Sequence, residues 1–134
     1  MTAQPTLATR PAQTSWLMQA LRAVVALHAV ALLVQAVTAG LLLSSPGGRA
    51  LHMTSGIALV VTGLVHLVVA ILAWRPGGGS AKFIPTAAGL LVATIVAAIL
   101  GEAGVTTLHV PLGVMMFGVG VLQLTRVLSR PGAA

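Results

Sequence analysis

The sequence predicts an all-α integral membrane protein. It reads as a four-helix transmembrane bundle, a duplicated helical hairpin with both termini cytoplasmic. Three observations carry this. Of the 134 residues, 57% are hydrophobic and 6% charged, and the mean hydropathy is +1.05, too little charge to cover a soluble surface. The apolar residues fall into four runs of about twenty, each long enough to span a bilayer. The pattern of the second run returns in the fourth.

Composition also excludes. With no cysteine, disulfides, cysteine-ligated clusters and thiolate chemistry are ruled out. The net charge of +6 does not point to nucleic acid, because the cations sit mostly at helix ends, where topology explains them.

In chain order, residues 1–15 are polar, with Pro5 and Pro11, and read as a loose tail. Basic residues followed by an apolar run suggest a signal peptide, with Val37-Thr38-Ala39 as a conceivable cleavage region, but the run is too long for one. The spans are expected at about 16–43, 51–74, 83–100 and 108–128, with a short tail over 129–134. The turns are Gly/Pro-rich: SSPGGRA before the second span and RPGGGSAK before the third. Arg10, Arg22, Arg75, Lys82, Arg126 and Arg130 fall on one side, Arg49 and the sole acid Glu102 on the other. The positive-inside rule then puts both termini in the cytoplasm. High Ala, Gly and Leu with few lysines suggests a bacterial source and a multi-pass protein of the inner membrane.

The repeat aligns Leu51-His52, Gly56, Gly63 and Leu67 with Leu108-His109, Gly113, Gly120 and Leu124. The first and third spans align more weakly. In the repeat Thr86 replaces His28, and Gln123 replaces His66.

All four histidines lie inside predicted spans. The stretch His52–His66 places two on one helix, within roughly 40° of the same face and roughly 21 Å apart along the axis. Gly56 and Gly63 share that stripe. By depth the set pairs as His52 with His109 and His28 with His66. A histidine in hydrocarbon is costly unless partnered, so each is a functional hypothesis. Taken singly, any one reads as an interhelical hydrogen-bonding residue. As depth-matched pairs, opposed imidazoles on facing helices supply both axial positions of a haem iron. Gly56, Gly63, Gly113 and Gly120 read either as room for a macrocycle at the backbone or as small residues for close helix packing.

The layout resembles the small four-helix di-haem b-type membrane cytochromes. These include the cytochrome b subunits of hydrogenases and formate dehydrogenases, and the free-standing superoxide oxidases. The resemblance rests on the four spans, the His52/His66 pair and single ligands on two other helices. It implies haem b, two per chain, ligated by His28, His52, His66 and His109, and electron transfer across the membrane. Bis-histidine ligation leaves no open position for oxygen. Arg49 would pair with propionates of the outer haem, or serve only as a loop charge; Arg22 and Arg75 stand likewise on the inner side. Thr62 either orients His66 or bonds its own helix. Redox exchange would use a small molecule, of quinone or superoxide type, or a partner protein. Glycine faces free of haem would be open to a homo-oligomer.

Other classes fare worse. The spans hold no Asp, Glu or Lys, which disfavours a transporter. One metal ion cannot gather ligands at two depths. No nucleophile–base–acid set or phosphate loop appears. A haem-free structural or accessory subunit remains the main rival.

Overall fold

Within lipid, backbone polar groups must be satisfied inside the chain, so apolar runs of this length fold as helices. The structure, a computed structural model, describes residues 13–129. It holds α1 (Gln13–Ser44), α2 (Gly48–Trp74), α3 (Phe83–Glu102) and α4 (Thr106–Leu128). Each is long and apolar enough to cross a membrane, so the topology is that of a multi-pass membrane protein. The shortest, α3, has 20 residues, about 30 Å of helix, the thickness of the hydrocarbon core. The helix of α1 starts at Gln13, inside the segment expected as tail. Residues 1–12 and 130–134, with Arg10, Arg130, Pro5 and Pro11, lie outside the described residues.

The helices form a ring in chain order. Each packs on its two neighbours, and α1 packs most extensively on α2. The turns at 45–47 and 103–105 close one end, here called apical. The α2–α3 turn, the start of α1 and the end of α4 lie at the other, basal end. Arg22, Arg75, Lys82 and Arg126 belong to the basal end, and the Arg75 guanidinium stacks 4.7 Å over Trp74. Arg49 and Glu102 face each other at the apical end, 3.9 Å apart and both well exposed.

The apical turns are short because each contains a left-handed glycine. Gly47 has φ 85° and Gly104 φ 71°, values that cost side-chain-bearing residues. Beside Gly47, the α1 backbone runs so close that a Cβ on Gly48 would overlap the Leu41 carbonyl. This turn lets α2 begin at Gly48 instead of residue 51.

The interior is layered along the bundle axis. The basal layer is apolar: Leu17, Leu21, Val24, Val25, Ala70, Ala73, Phe83, Ala87 and Val127. Above it sit the buried polar residues His28, His66 and Gln123. A second apolar layer follows, with Leu32, Leu59, Leu90, Ala97 and Met116. His52 and His109 lie beyond it, at the apical end. Large apolar side chains such as Leu27, Ile57, Val92 and Val114 face outward, as lipid requires.

Gly48→Ala should destabilise the protein by about 1–3 kcal/mol, since the backbone of α1 must move. Gly40→Ala, where nothing lies within 4 Å of a new Cβ, should be neutral or stabilising by about 0.5–1 kcal/mol. Denaturant unfolding in detergent measures both.

Candidate functional site

His28 sits on α1 and His66 on α2, both 1% exposed. Their Nδ1 atoms are 2.8 Å apart, a direct hydrogen bond. The rings meet edge-on, at 87° with centroids 5.1 Å apart. His66 Nε2 lies 3.1 Å from Nε2 of Gln123, on α4 across the ring of helices. Both nitrogens of His66 are therefore used. His28 Nε2 and Gln123 Oε1 are buried without a partner. An iron between the histidines would hold their facing nitrogens about 4 Å apart, twice a metal–nitrogen bond of about 2 Å. In this packing they bond each other instead.

The apical pair is built differently. His52 on α2 and His109 on α4 face each other across the ring, centroids 6.1 Å apart and planes at 76°. His109 Nδ1 lies 2.7 Å from the Ala97 carbonyl. A carbonyl only accepts, so Nδ1 carries the proton and Nε2 the lone pair. The ring lies against Gly101, where a Cβ would come within 3.1 Å of it.

The protons of His52 follow from its neighbours. Thr38 Oγ1 lies 3.0 Å from the Gln35 carbonyl and 2.9 Å from Ser55 Oγ; with its single hydrogen on either of these oxygens, it accepts from His52 Nδ1–H at 3.2 Å. Ser55 Oγ donates to Gln35 Oε1 at 2.5 Å, which turns the amide so that Gln35 Nε2–H donates to His52 Nε2 at 3.2 Å. Both apical histidines thus carry the proton on Nδ1, held by an oxygen, and a lone pair on Nε2. That is the ligand-ready tautomer, with its outer partners in place. At His52 the Gln35 amide occupies the lone pair.

The structure brings the four histidines together in the pairs their depths suggest. The glycines do not share one slot. Gly56 meets the Gln35 side chain, Gly63 meets Leu91 and His28, and Gly120 is approached by Leu32 Cδ1 at 2.7 Å from a Cβ position. Gly113 is exposed, with nothing within 4 Å. Arg49 pairs with Glu102. Thr62 donates to the Ala58 carbonyl of its own helix at 2.8 Å. Among the described residues no three of His, Cys, Asp or Glu gather as a metal-ion site.

Sequence reasoning missed Gln35, Thr38, Ser55 and Gly101, and gave Gln123 no bonding role. The signal was present for the first three. Gln35, Thr38 and Ser55 are polar residues inside apolar runs, and Ser55 lies one turn from His52. Comparison of the chain with protein-family models, with curated proteins and with solved structures finds no match.

Removing the Gln123 amide leaves His66 Nε2 buried and unpaired. Gln123→Leu should therefore cost about 1–3 kcal/mol, whereas Thr62→Val should stay within about 0.5 kcal/mol. The same unfolding assay distinguishes them.

Proposed function

We propose that the chain is a b-type membrane cytochrome that carries electrons, with haem held at its apical end by His52 and His109. One observation carries the reading. Two imidazoles oppose each other across the bundle, each with Nδ1–H on an oxygen and its lone pair on Nε2, which at His52 is held by the Gln35 amide. This donor set is the one that bis-histidine haem ligation uses. A bound b haem supplies a one-electron ferric–ferrous couple.

The chain's own residues do the rest. Thr38 and the Ala97 carbonyl keep the two rings in one tautomer and orientation. Gln35 releases His52 Nε2 when the ligand position is needed, and Ser55 keeps its amide oxygen. Arg49, three residues before His52, is the cation nearest in sequence for a carboxylate at that end. His28 is bonded to His66, and His66 to Gln123, which favours one haem per chain over two. A single centre near one face exchanges electrons on that face. Its partner there is a small redox molecule, of quinone or superoxide type, or a docked redox protein. The cations of the basal end support a cytoplasmic position for that end, and the composition, rich in Ala, Gly and Leu with few lysines, supports a bacterial inner membrane.

A haem-free accessory bundle is the second reading. It is favoured by the filled glycine positions and by the Gln35 bond to His52.

A dithionite-reduced minus oxidised spectrum of the purified protein, with pyridine haemochrome quantification, tests the first reading. Near one b haem per chain is expected. His52→Ala and His109→Ala should each abolish it, and His28→Ala should keep it. Near two haems would make His28 and His66 ligands as well. A well-folded, colourless protein from haem-replete cells would sink the cytochrome reading. Thr38→Val should weaken haem binding about 10–100-fold, as lost outer-shell partners do at metal sites.

A further inference from the structure

At the basal end, between α3 and α4, lies a cavity of about 480 Å³ lined by Lys82, Phe83, Thr86, Gln123, Arg126 and Ser129. Its lining differs from the lipid-facing groove higher between the same helices, which is lined mainly by apolar side chains. Two cations, two hydroxyls and one amide meet here. The chain's sole acid is Glu102, which pairs with Arg49 at the opposite end. No acidic side chain is therefore left to pair with Lys82 and Arg126.

Gln123 makes this more than a basic surface. It is 2% exposed, and its amide is half used. Nε2 lies on His66, while Oε1 is buried without a partner. A buried amide group left unpaired costs free energy and calls for a partner. Charge complementarity with Lys82 and Arg126 selects an anion, and the neighbouring hydroxyls and amide select an oxyanion.

We infer that this cavity is a phosphate-type oxyanion site, its buried wall the Gln123 amide, and that its occupancy is reported to the His66–His28 pair. The report follows from hydrogen-bond directions. With Gln123 Nε2–H on His66 Nε2, the proton of His66 lies on Nδ1 and points at His28 Nδ1. The deprotonated, charged oxygens of an oxyanion accept hydrogen bonds and do not give them, and it is such an oxygen that Lys82 and Arg126 draw to the amide. It therefore turns the amide over, presenting Nε2–H to the cavity and Oε1 to His66. His66 must then carry its proton on Nε2, and His28 must donate from Nδ1. Among the described residues no second side chain fixes the Gln123 amide as Ser55 fixes Gln35, so both patterns close without breaking the chain of bonds. The inference does not rest on the haem reading.

One chemistry has two sources, a lipid phosphate headgroup or free phosphate. The test uses the full chain, ¹⁵N-labelled at histidine, in nanodiscs kept under dithionite. The readout is the imidazole ¹⁵N shift of His66, which distinguishes the tautomers. One arm titrates inorganic phosphate into phosphatidylcholine discs. The other raises phosphatidylglycerol in the disc without added phosphate. Lys82→Gln and Arg126→Gln alter exposed side chains and should leave the fold intact. The expected result is a saturable shift of His66 from one tautomer to the other, with a midpoint about tenfold or more higher in Arg126→Gln. A response to phosphate assigns a soluble oxyanion, and a response to phosphatidylglycerol alone assigns a lipid headgroup. If neither probe moves His66, or if the variants respond as the parent does, the inference is overturned.

Discussion

The hydrogen bonds of His66 constrain the rest of the bundle. Lipid gives helices no hydrophobic reason to associate, because the surroundings are as apolar as the side chains. What remains is packing and the satisfaction of polar groups that cannot reach water. His66 binds α1 through His28 and α4 through Gln123, and so fixes three helices at one depth. Each bond is worth little alone, about 0.6 kcal/mol on average for such contacts in a membrane. Their effect is on register: sliding α4 by one turn would bury the amide and the imidazole unpaired. The fourth helix, α3, takes no part in this lock. Its buried Thr94 bonds its own helix at Leu90, and α3 instead offers the Ala97 carbonyl and the bare backbone of Gly101 to His109.

Two pairs of the same residue type thus acquire different chemistry from their neighbours. At the apical end, every Nδ1 faces an oxygen, which settles the tautomer and leaves Nε2 as a base. In the middle, nitrogen faces nitrogen, so each ring's tautomer depends on the next. The first arrangement suits a metal, which needs a fixed lone pair. The second suits a group whose protons must rearrange together. Counting histidines does not separate these cases; the acceptors around them do.

Much of the architecture was legible in the sequence, because lipid leaves few options for long apolar runs. The four apolar runs correspond to the four helices, and the depths of His28, His52, His66 and His109 paired as the structure pairs them. The misses have physical causes. Gly47 reverses the chain more tightly than a seven-residue glycine–proline segment suggests. Gly56 and Gly113 occupy equivalent positions of the repeat yet face different surroundings, since a repeat in sequence does not fix which face turns inward. The bonding of Gln123 was invisible because it spans from α4 to α2 across the ring, a contact no single helix pattern encodes. Thr38 and Ser55 were readable as polar residues in spans, but their partners depend on how α1 and α2 are rotated.

The order of the layers decides where a flat cofactor can enter. The His28–His66–Gln123 layer is held between two apolar layers. To insert a macrocycle there, packing would have to break on both sides along with two buried hydrogen bonds. The apical layer has an apolar neighbour on one side only, and its other side is the helix ends and short turns. His52, His109 and Gln35 are each partly exposed, so the cost of rearranging them is shared with water or headgroups. Gln35 can leave His52 and still hold Ser55, so opening the ligand position leaves one polar group, not a network, to be satisfied again. The apical layer can therefore rearrange while the inner layer keeps the helices in register.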